Sequence, residues 1–116
     1  MNTKNVRLIK LPTVTDNRGS LSIAEGGKTI PFKIERTFHT YQVPQGTVRG
    51  GHAHKKNEQV YACLSGSLIV TLDDGVGKDK VILKDPGEGL YVGPLVWHNI
   101  EDFSLGTVFF VIPVDA

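Results

Sequence analysis

Two histidines two residues apart are the side chains of this chain most suited to chemistry. His52 and His54 belong to the segment Arg-Gly-Gly-His-Ala-His, which occupies positions 49–54. This segment is predicted to be a strand, and side chains of a strand alternate between its two faces, so both imidazoles are expected on one face. Histidine titrates near neutral pH, with an ordinary pKa of about 6.5. The pair therefore predicts acid–base catalysis or metal binding.

The other two histidines also lie in or beside predicted strands. His39 is expected within a strand over 34–43, where it shares a face with Thr37 and Tyr41. The opposite face of that strand carries Arg36, Phe38 and Thr40. His98 follows Trp97 much later in the chain. A barrel would gather the four histidines, since it brings the ends of distant strands together.

The remaining sequence predicts an all-β protein of one domain, residues 1–116. The chain has 116 residues, of which 40% are hydrophobic and 22% charged, which suits a single core. Thirteen Gly and six Pro indicate many turns, and no stretch keeps a helical period over ten residues. Short β-like runs of this kind favour a barrel or a sandwich. About nine strands are expected: 6–11, 20–25, 34–43, 48–54, 59–64, 67–72, 80–83, 89–92 and 107–112.

Charge and cysteine usage exclude several classes of partner. A net charge of +1 provides no electrostatic footprint for nucleic acid or an anionic membrane. No apolar run approaches the roughly 20 residues of a membrane span. The polar N-terminus lacks the pattern of a secretory signal, and Cys63 is the single cysteine, so no intrachain disulfide forms. The expected location is the cytoplasm.

The histidine spacing resembles the first cupin motif, and Gly87 to Asn99 resembles the second, with His98 at the position of its histidine. In metal-binding cupins, His-x-His is followed after four residues by Glu, a position that holds Gln59 here. Glu58 is one residue out of register and is expected on the opposite strand face. A neutral amide is a poorer ligand than a carboxylate, which weakens the metal interpretation, although three histidines alone can hold zinc.

The chain resembles the nucleotide-sugar 3,4-ketoisomerases of the cupin superfamily more specifically. The resemblance covers residues from about 6 to 112 and is strongest in the string Arg-Gly-Gly-His-Ala-His-Lys at 49–55. It also includes the following pieces: Asp16-x-Arg18-Gly19-x-Leu21, Pro31-Phe32-x-Ile34, Arg36-x-Phe38, Gln59, Ser65-Gly66-Ser67, Trp97-His98 and Asp102-Phe103-Ser104. The family usually carries Tyr where this chain has His39.

This resemblance implies a small cupin barrel, a jelly roll or double-stranded β-helix, which works without metal or another cofactor. The implied substrate is dTDP-4-keto-6-deoxyglucose, and the implied reaction moves its keto group from C4 to C3 through an enediol or enediolate. The product would feed the synthesis of a 3-amino-3,6-dideoxyhexose. A homodimer is implied as well, and its N-terminal strand is a candidate for exchange between the subunits.

The roles of the site residues follow from what this reaction needs. His52 is hypothesised to be the base at carbon, and His54 to assist at the oxygens or to orient it. A diphosphate needs local cations, and guanidinium groups pair well with phosphate oxygens. The candidates for substrate binding comprise three arginines, two aromatic residues that could line the pocket or stack on thymine, and three polar residues of the pocket: Arg49, Arg18, Arg36, Tyr41, Trp97, His39, Gln59 and His98.

Two other classes of function remain open from the sequence. A metal-dependent cupin enzyme, such as a small dioxygenase or isomerase, is supported by three histidines and opposed by the missing carboxylate. A non-catalytic sugar-binding cupin would not need the histidine pair. The 3,5-epimerases that act on the same nucleotide sugar also use a histidine base in a cupin barrel, but their motif context differs from Arg49–Lys55.

Overall fold

The computed structural model describes residues 1–53 and 57–113, and for His52 it describes the backbone alone. His54 lies outside the described residues. Within the described ranges the chain forms eleven strands and no helix, so no helix there could cross a membrane. The strands are β1 (Val6–Lys10), β2 (Thr13–Asp16), β3 (Gly19–Ser22), β4 (Phe38–Thr40), β5 (Arg49–His52), β6 (Gln59–Ser65), β7 (Leu68–Asp73), β8 (Lys78–Leu83), β9 (Glu88–Val92), β10 (Trp97–Glu101) and β11 (Val108–Pro113).

Two antiparallel sheets pack face to face and form the barrel, which confirms the all-β prediction. One sheet has five strands in the order β1-β9-β6-β11-β4, and the other has four in the order β5-β10-β7-β8. A separate hairpin consists of β2 and β3. Neighbours in each sheet are mostly distant in sequence, so the sheets gather residues from the whole chain.

The observed strands differ most from the predicted ones at three places. The expected strand over 34–43 is reduced to β4 (Phe38–Thr40), three residues at the edge of the larger sheet. Neither β2 nor β10 was predicted, because both are short and rich in polar residues. In β2, hydroxyl bonds across the hairpin accompany the backbone pairing: Thr13 meets Ser22 at 2.8 Å, and Thr15 meets Ser20 at 2.8 Å.

Strand alternation on β6 divides the apolar side chains into two clusters. Tyr61 and Cys63 belong to the cluster between the sheets, whereas Val60 belongs to a smaller cluster on the outer face of the five-stranded sheet. Burial in the first cluster raises the pKa of the Cys63 thiol. The outer cluster also contains Ile30, from the loop that covers this face. Consecutive residues of β6 therefore serve different environments.

An N-terminal segment, residues 2–4, ties the first strand to the hairpin between β7 and β8. The carboxylate of Asp79 accepts hydrogen bonds from the backbone amides of Asn2 and Thr3. Asp74 accepts from the backbone amide of Lys4 at 2.8 Å and from two amides of its own turn. These amide bonds, with that of Lys4 foremost, lower the pKa of Asp74 to about 2. The segment thus fastens one sheet to the other.

We expect Asp74→Ala to lower the melting temperature at pH 7, because it removes the acceptor of three backbone amides. The folded pKa lies below the ordinary value of 3.8, so the stabilisation is complete above pH 4 and is lost as the pH falls towards 2. Thermal unfolding followed by circular dichroism between pH 7 and pH 3 measures this. The difference in melting temperature between Asp74→Ala and wild type should be smaller at pH 3 than at pH 7.

Glu35→Ala provides the control, since Glu35 is an exposed acid in a loop. An equal loss of stability in both variants, or a difference for Asp74→Ala that does not change with pH, would contradict the role given to the Asp74 carboxylate.

Candidate functional site

Three polar side chains meet on the inner face of the barrel, where β6 faces β10. The Tyr61 hydroxyl donates a hydrogen bond to Oε1 of Gln59 and lies 2.8 Å from Nε2 of His98. Tyr61 is buried, and burial raises the pKa of its phenol, so the hydroxyl stays protonated at neutral pH. We call Gln59, Tyr61 and His98 the inner row.

His98 is held through both ring nitrogens and is only 2% exposed. Its Nδ1 lies 3.1 Å from the carbonyl oxygen of Val96, and a carbonyl only accepts, so Nδ1 carries a hydrogen. In the smaller sheet His98 is opposite Leu72 on one side and opposite the backbone of His52 on the other. The pairing of β10 with β5 therefore places the inner row beside the strand that carries His52.

Two glycines shape that pairing. Gly50 and Gly51 have φ values of +93° and +77°, a region that L side chains rarely adopt. The register of β5 with β10 shifts between His98 and Asn99, which is a β-bulge. A Cβ on Gly50 would lie 2.8 Å from the carbonyl oxygen of His98. The Gly-Gly pair therefore allows the close backbone approach that precedes His52.

The expected separation of Glu58 from Gln59 is confirmed. Gln59 contacts Tyr61 in the inner cluster, whereas Glu58 accepts a hydrogen bond of 2.5 Å from the hydroxyl of Tyr91. Tyr91 belongs to the outer cluster, and burial raises its pKa to about 12. Glu58 therefore does not replace the carboxylate that metal-binding cupins present to the interior.

Strand β4 does not bring His39 into the barrel. In the ladder with β11, His39 pairs with Phe110 of the outer cluster, whereas Phe38 pairs with Val111 of the inner one. Residues directly opposite each other in a ladder share a face, so Phe38 lies on the interior side. His39 stacks on Tyr41, with ring centroids 5.6 Å apart. The structure therefore places two predicted substrate contacts, His39 and Tyr41, away from the inner row.

Trp97 and Arg18 also lie apart from the inner row. Trp97 precedes the buried His98 on β10 and is 50% exposed, so it belongs to the outer face of the smaller sheet. There it lines a cavity of about 450 Å³. Arg18 follows Asp16 in the turn between β2 and β3 and forms an exposed ion pair with it at 2.7 Å. Neither side chain reaches the barrel interior of its own chain.

The remaining two arginines lie at strands of the barrel. Arg49 is exposed and begins β5, where its backbone pairs with Ile100. Because Ile100 is buried in the inner cluster, the register places Arg49 on the interior side of the sheet. Arg36 precedes β4, and its guanidinium lies 5.7 Å from the centre of the Phe38 ring. Both are therefore placed to meet a ligand that enters the barrel.

Tyr61 and Phe38 were not predicted as site residues. Tyr61 lies two residues after Gln59, so the strand period that places Gln59 in the interior places Tyr61 there too. Phe38 was assigned to the face opposite His39, but nothing in the sequence indicated which of the two faces looks inward. The spacing from Gln59 could therefore have found Tyr61.

Among the side chains that the structure describes, no three His, Cys, Asp or Glu residues form a cluster suited to a metal ion. The side chain of His52 and the whole of His54 are outside that set. Of the three histidines considered as zinc ligands, the structure thus describes the side chain of His98 alone, and Tyr61 and Val96 engage its two nitrogens.

Comparison with known proteins decides the family. The family model described as "FdtA: WxcM-like, C-terminal" matches residues 4–115 of the chain. The chain belongs to this family. A relative from Aneurinibacillus thermoaerophilus, named TDP-4-oxo-6-deoxy-alpha-D-glucose-3,4-oxoisomerase, is 45% identical over 94% of this chain and 78% of its own length.

Solved structures of proteins named 3,4-ketoisomerases agree with the barrel described above. A double mutant of the 3,4-ketoisomerase QdtA from Thermoanaerobacterium thermosaccharolyticum, in complex with TDP, is 42% identical and has a TM-score of 0.94; the match covers 97% of this chain and 82% of that one. WlaRB, a TDP-quinovose 3,4-ketoisomerase from Campylobacter jejuni, is 38% identical and has a TM-score of 0.94; the match covers 98% of this chain and 88% of WlaRB.

We expect Gly50→Ala to destabilise the protein and to reduce its activity, because the new methyl group would press on the backbone of His98. Gly75→Ala is the matched control: its φ is +91°, close to the +93° of Gly50, but no atom lies within 4 Å of the added Cβ. In both variants an alanine must adopt a left-handed backbone conformation, which costs about 1–2 kcal/mol. Only Gly50→Ala adds a clash with the backbone of His98.

Urea unfolding compares the two variants. A larger loss of stability in Gly50→Ala supports the close approach of β5 to β10, whereas equal losses would contradict it.

Proposed function

We propose that this protein is a sugar-nucleotide 3,4-ketoisomerase that converts dTDP-4-keto-6-deoxy-D-glucose to its 3-keto isomer. The observation that carries the proposal is the 38–45% identity, over nearly the whole chain, to proteins named as 3,4-ketoisomerases of TDP sugars. One of the related structures, a histidine-to-asparagine mutant of QdtA, was solved in complex with TDP-4-keto-6-deoxyglucose. A polar row inside the barrel suits a reaction that moves protons between neighbouring atoms.

The chemistry requires a base at carbon and groups at the oxygens. The carbonyl at C4 acidifies the proton on C3; a base removes this proton, an enediolate forms, and a proton returns at C4. The hydroxyl at C3 loses its proton as it becomes the new carbonyl, and the former carbonyl oxygen gains one. His52 serves as the carbon base and His54 assists at the oxygens. Pairing of the His52 backbone with His98 supports a place beside the inner row.

No metal or other cofactor takes part in the proposed mechanism. Gln59 occupies the position of the cupin carboxylate, and an amide oxygen binds a divalent cation less well than a carboxylate does. Keto–enol chemistry of this kind transfers no electrons to an external acceptor, so it needs no redox partner. The protein therefore relies on its own acids, bases and hydrogen-bond donors.

The substrate diphosphate needs cations at the barrel mouth. Arg49 begins the strand that leads to His52, and its exposed guanidinium suits the phosphate oxygens. Arg36 lies over the ring of Phe38 on the neighbouring sheet edge. We therefore assign these two arginines to diphosphate binding, and the interior side of β4 to contact with the sugar or the thymine ring.

Four predicted contacts would have to act from outside the interior of a single chain. Arg18 lies on the hairpin, and Trp97 lies on the outer face of β10. His39 lies on the outer face of β4, where Tyr41 stacks on it. A homodimer would let one subunit present such residues to the site of its partner. Their roles in substrate binding are part of this proposal, and they depend on the assembly.

An exposed hairpin supports the homodimer. Val14 and Leu21 pair across β2 and β3, and both apolar side chains are about 60% exposed. The opposite face of the hairpin, with Thr13 and Ser22, borders a groove of about 1000 Å³. Apolar side chains exposed side by side on a hairpin suit an interface. We propose that a second copy of the chain covers Val14 and Leu21, that the N-terminal strand exchanges between the two copies, and that the one-domain enzyme works in the cytoplasm.

The wild-type protein is expected to convert dTDP-4-keto-6-deoxyglucose to the 3-keto sugar in heavy water, with deuterium entering at C4. Proton NMR of the reaction follows both the product and the label. His52→Asn should reduce turnover by about 10²–10⁴-fold, the usual contribution of a positioned base. Turnover should survive dialysis against a chelator.

Three outcomes would contradict the proposed reaction, the assigned base or the metal-free mechanism. An unchanged substrate spectrum would contradict the proposed reaction, near-full turnover in His52→Asn would contradict the assigned base, and loss of activity on chelation would favour the metal-dependent alternative.

The homodimer is expected to dissociate in the double variant V14E/L21E, because burying two carboxylates in an apolar interface is costly. Size-exclusion chromatography with light scattering gives the mass directly. The control is Val76→Glu, which alters a side chain that is 94% exposed in the turn between β7 and β8. A wild-type monomer, or a double variant that stays dimeric, would count against the proposed interface.

A further inference from the structure

The inner row has a direction that follows from counting its hydrogens. Tyr61 has a single hydroxyl hydrogen, which it donates to Oε1 of Gln59. Nε2 of His98 lies 2.8 Å from the same hydroxyl and holds it from the other side. Donation therefore runs from Tyr61 to the carbonyl end of Gln59.

This direction fixes the orientation of the Gln59 amide. With Oε1 bound to Tyr61, the NH2 end of the amide turns away from the hydroxyl. Gln59 is half-buried at the start of β6, on the inner side of the barrel, whereas Tyr61 beneath it is buried. Among the described residues none accepts a hydrogen bond from this NH2 group. The inner row thus ends in a pre-oriented donor inside the barrel.

We propose that Gln59 donates its amide N–H to the oxygen of the enediolate, and that Tyr61 and His98 are the positioning residues that hold it there. The inference deepens the proposed function and rests on it. The hydrogen bond stabilises negative charge as it develops on the oxygen, and Gln59 transfers no proton. The carbon proton is still removed and returned by the base.

Two physical effects favour this assignment. Donors that are oriented before the reaction stabilise an oxyanion without reorganisation cost, and successive hydrogen bonds polarise one another in a low dielectric. A hydrogen bond from the phenol to the carbonyl end of Gln59 strengthens the N–H donors of the same amide in this way. A glutamate at position 59 would present an acceptor and a negative charge to the same oxygen.

The chain contains a matched pair on the other face of the same sheet. Tyr91 donates to Glu58 just as Tyr61 donates to Gln59, but the Tyr91–Glu58 pair belongs to the outer surface of the five-stranded sheet. It combines the same two residue shapes without facing the barrel interior. Variants of this pair therefore report what a tyrosine hydroxyl or a long side chain contributes to stability alone.

Steady-state kinetics with dTDP-4-keto-6-deoxyglucose, checked for folding by circular dichroism, tests the assignment. Gln59→Met keeps the side-chain length and removes the donor, so kcat should fall by about 10²–10³-fold, with KM changed by no more than about twofold. Tyr61→Phe should lower kcat by about tenfold and move the 15N signals of the His98 ring. Tyr91→Phe and Glu58→Gln should keep the wild-type kcat.

The outcomes separate this inference from the proposed function. If the wild-type protein does not turn over the keto sugar, the proposed function fails and takes the inference with it. If the wild-type protein is active but Tyr61→Phe matches Tyr91→Phe in kcat, or if Gln59→Met raises KM alone, the inference fails and the proposed function stands.

Discussion

A buried phenol hydroxyl is the constraint on which the interior of this barrel depends. Tyr61 packs among apolar side chains of both sheets, and a hydroxyl left there without partners would cost several times the gain from an ordinary hydrogen bond. Gln59 and His98 satisfy it. Because these partners come from different sheets, the hydrogen bonds also fix how the sheets meet. The interior is thus specified by polar contacts as well as by packing.

The period of β6 makes this arrangement compatible with a second environment. Alternate residues of the strand contribute to the inner row and to the outer cluster, and the pairs Tyr61–Gln59 and Tyr91–Glu58 occupy the two faces. A slip of one residue would reverse every side chain. On β5, the bulge at Gly50 and Gly51 changes the register locally and leaves the rest of the sheet in place.

Much of this architecture could be predicted from the sequence, and the failures have definite causes. Strand alternation correctly separated Glu58 from Gln59, and the motif spacing identified the strand of His52. The face of β4 was not predictable, because a three-residue strand takes its orientation from β11 and not from its own pattern. The face of Trp97 was not predictable for a similar reason: its alternation with His98 is visible, but only the pairing with β7 shows which of the two is buried. The choice of substrate came from family resemblance, since no spacing of residues specifies a nucleotide sugar.

The pairing of β1 with β9 has a consequence for how the chain is made. Val6 pairs with Val92, so the first strand emerges from the ribosome long before its partner exists. At 5–20 residues per second, about 90 residues take roughly 5–20 s to synthesise. During that interval Leu8 and Ile9 lack the neighbour that completes their sheet. The backbone edge of β1 therefore stays unpaired on the nascent chain for several seconds, and slower translation lengthens that time.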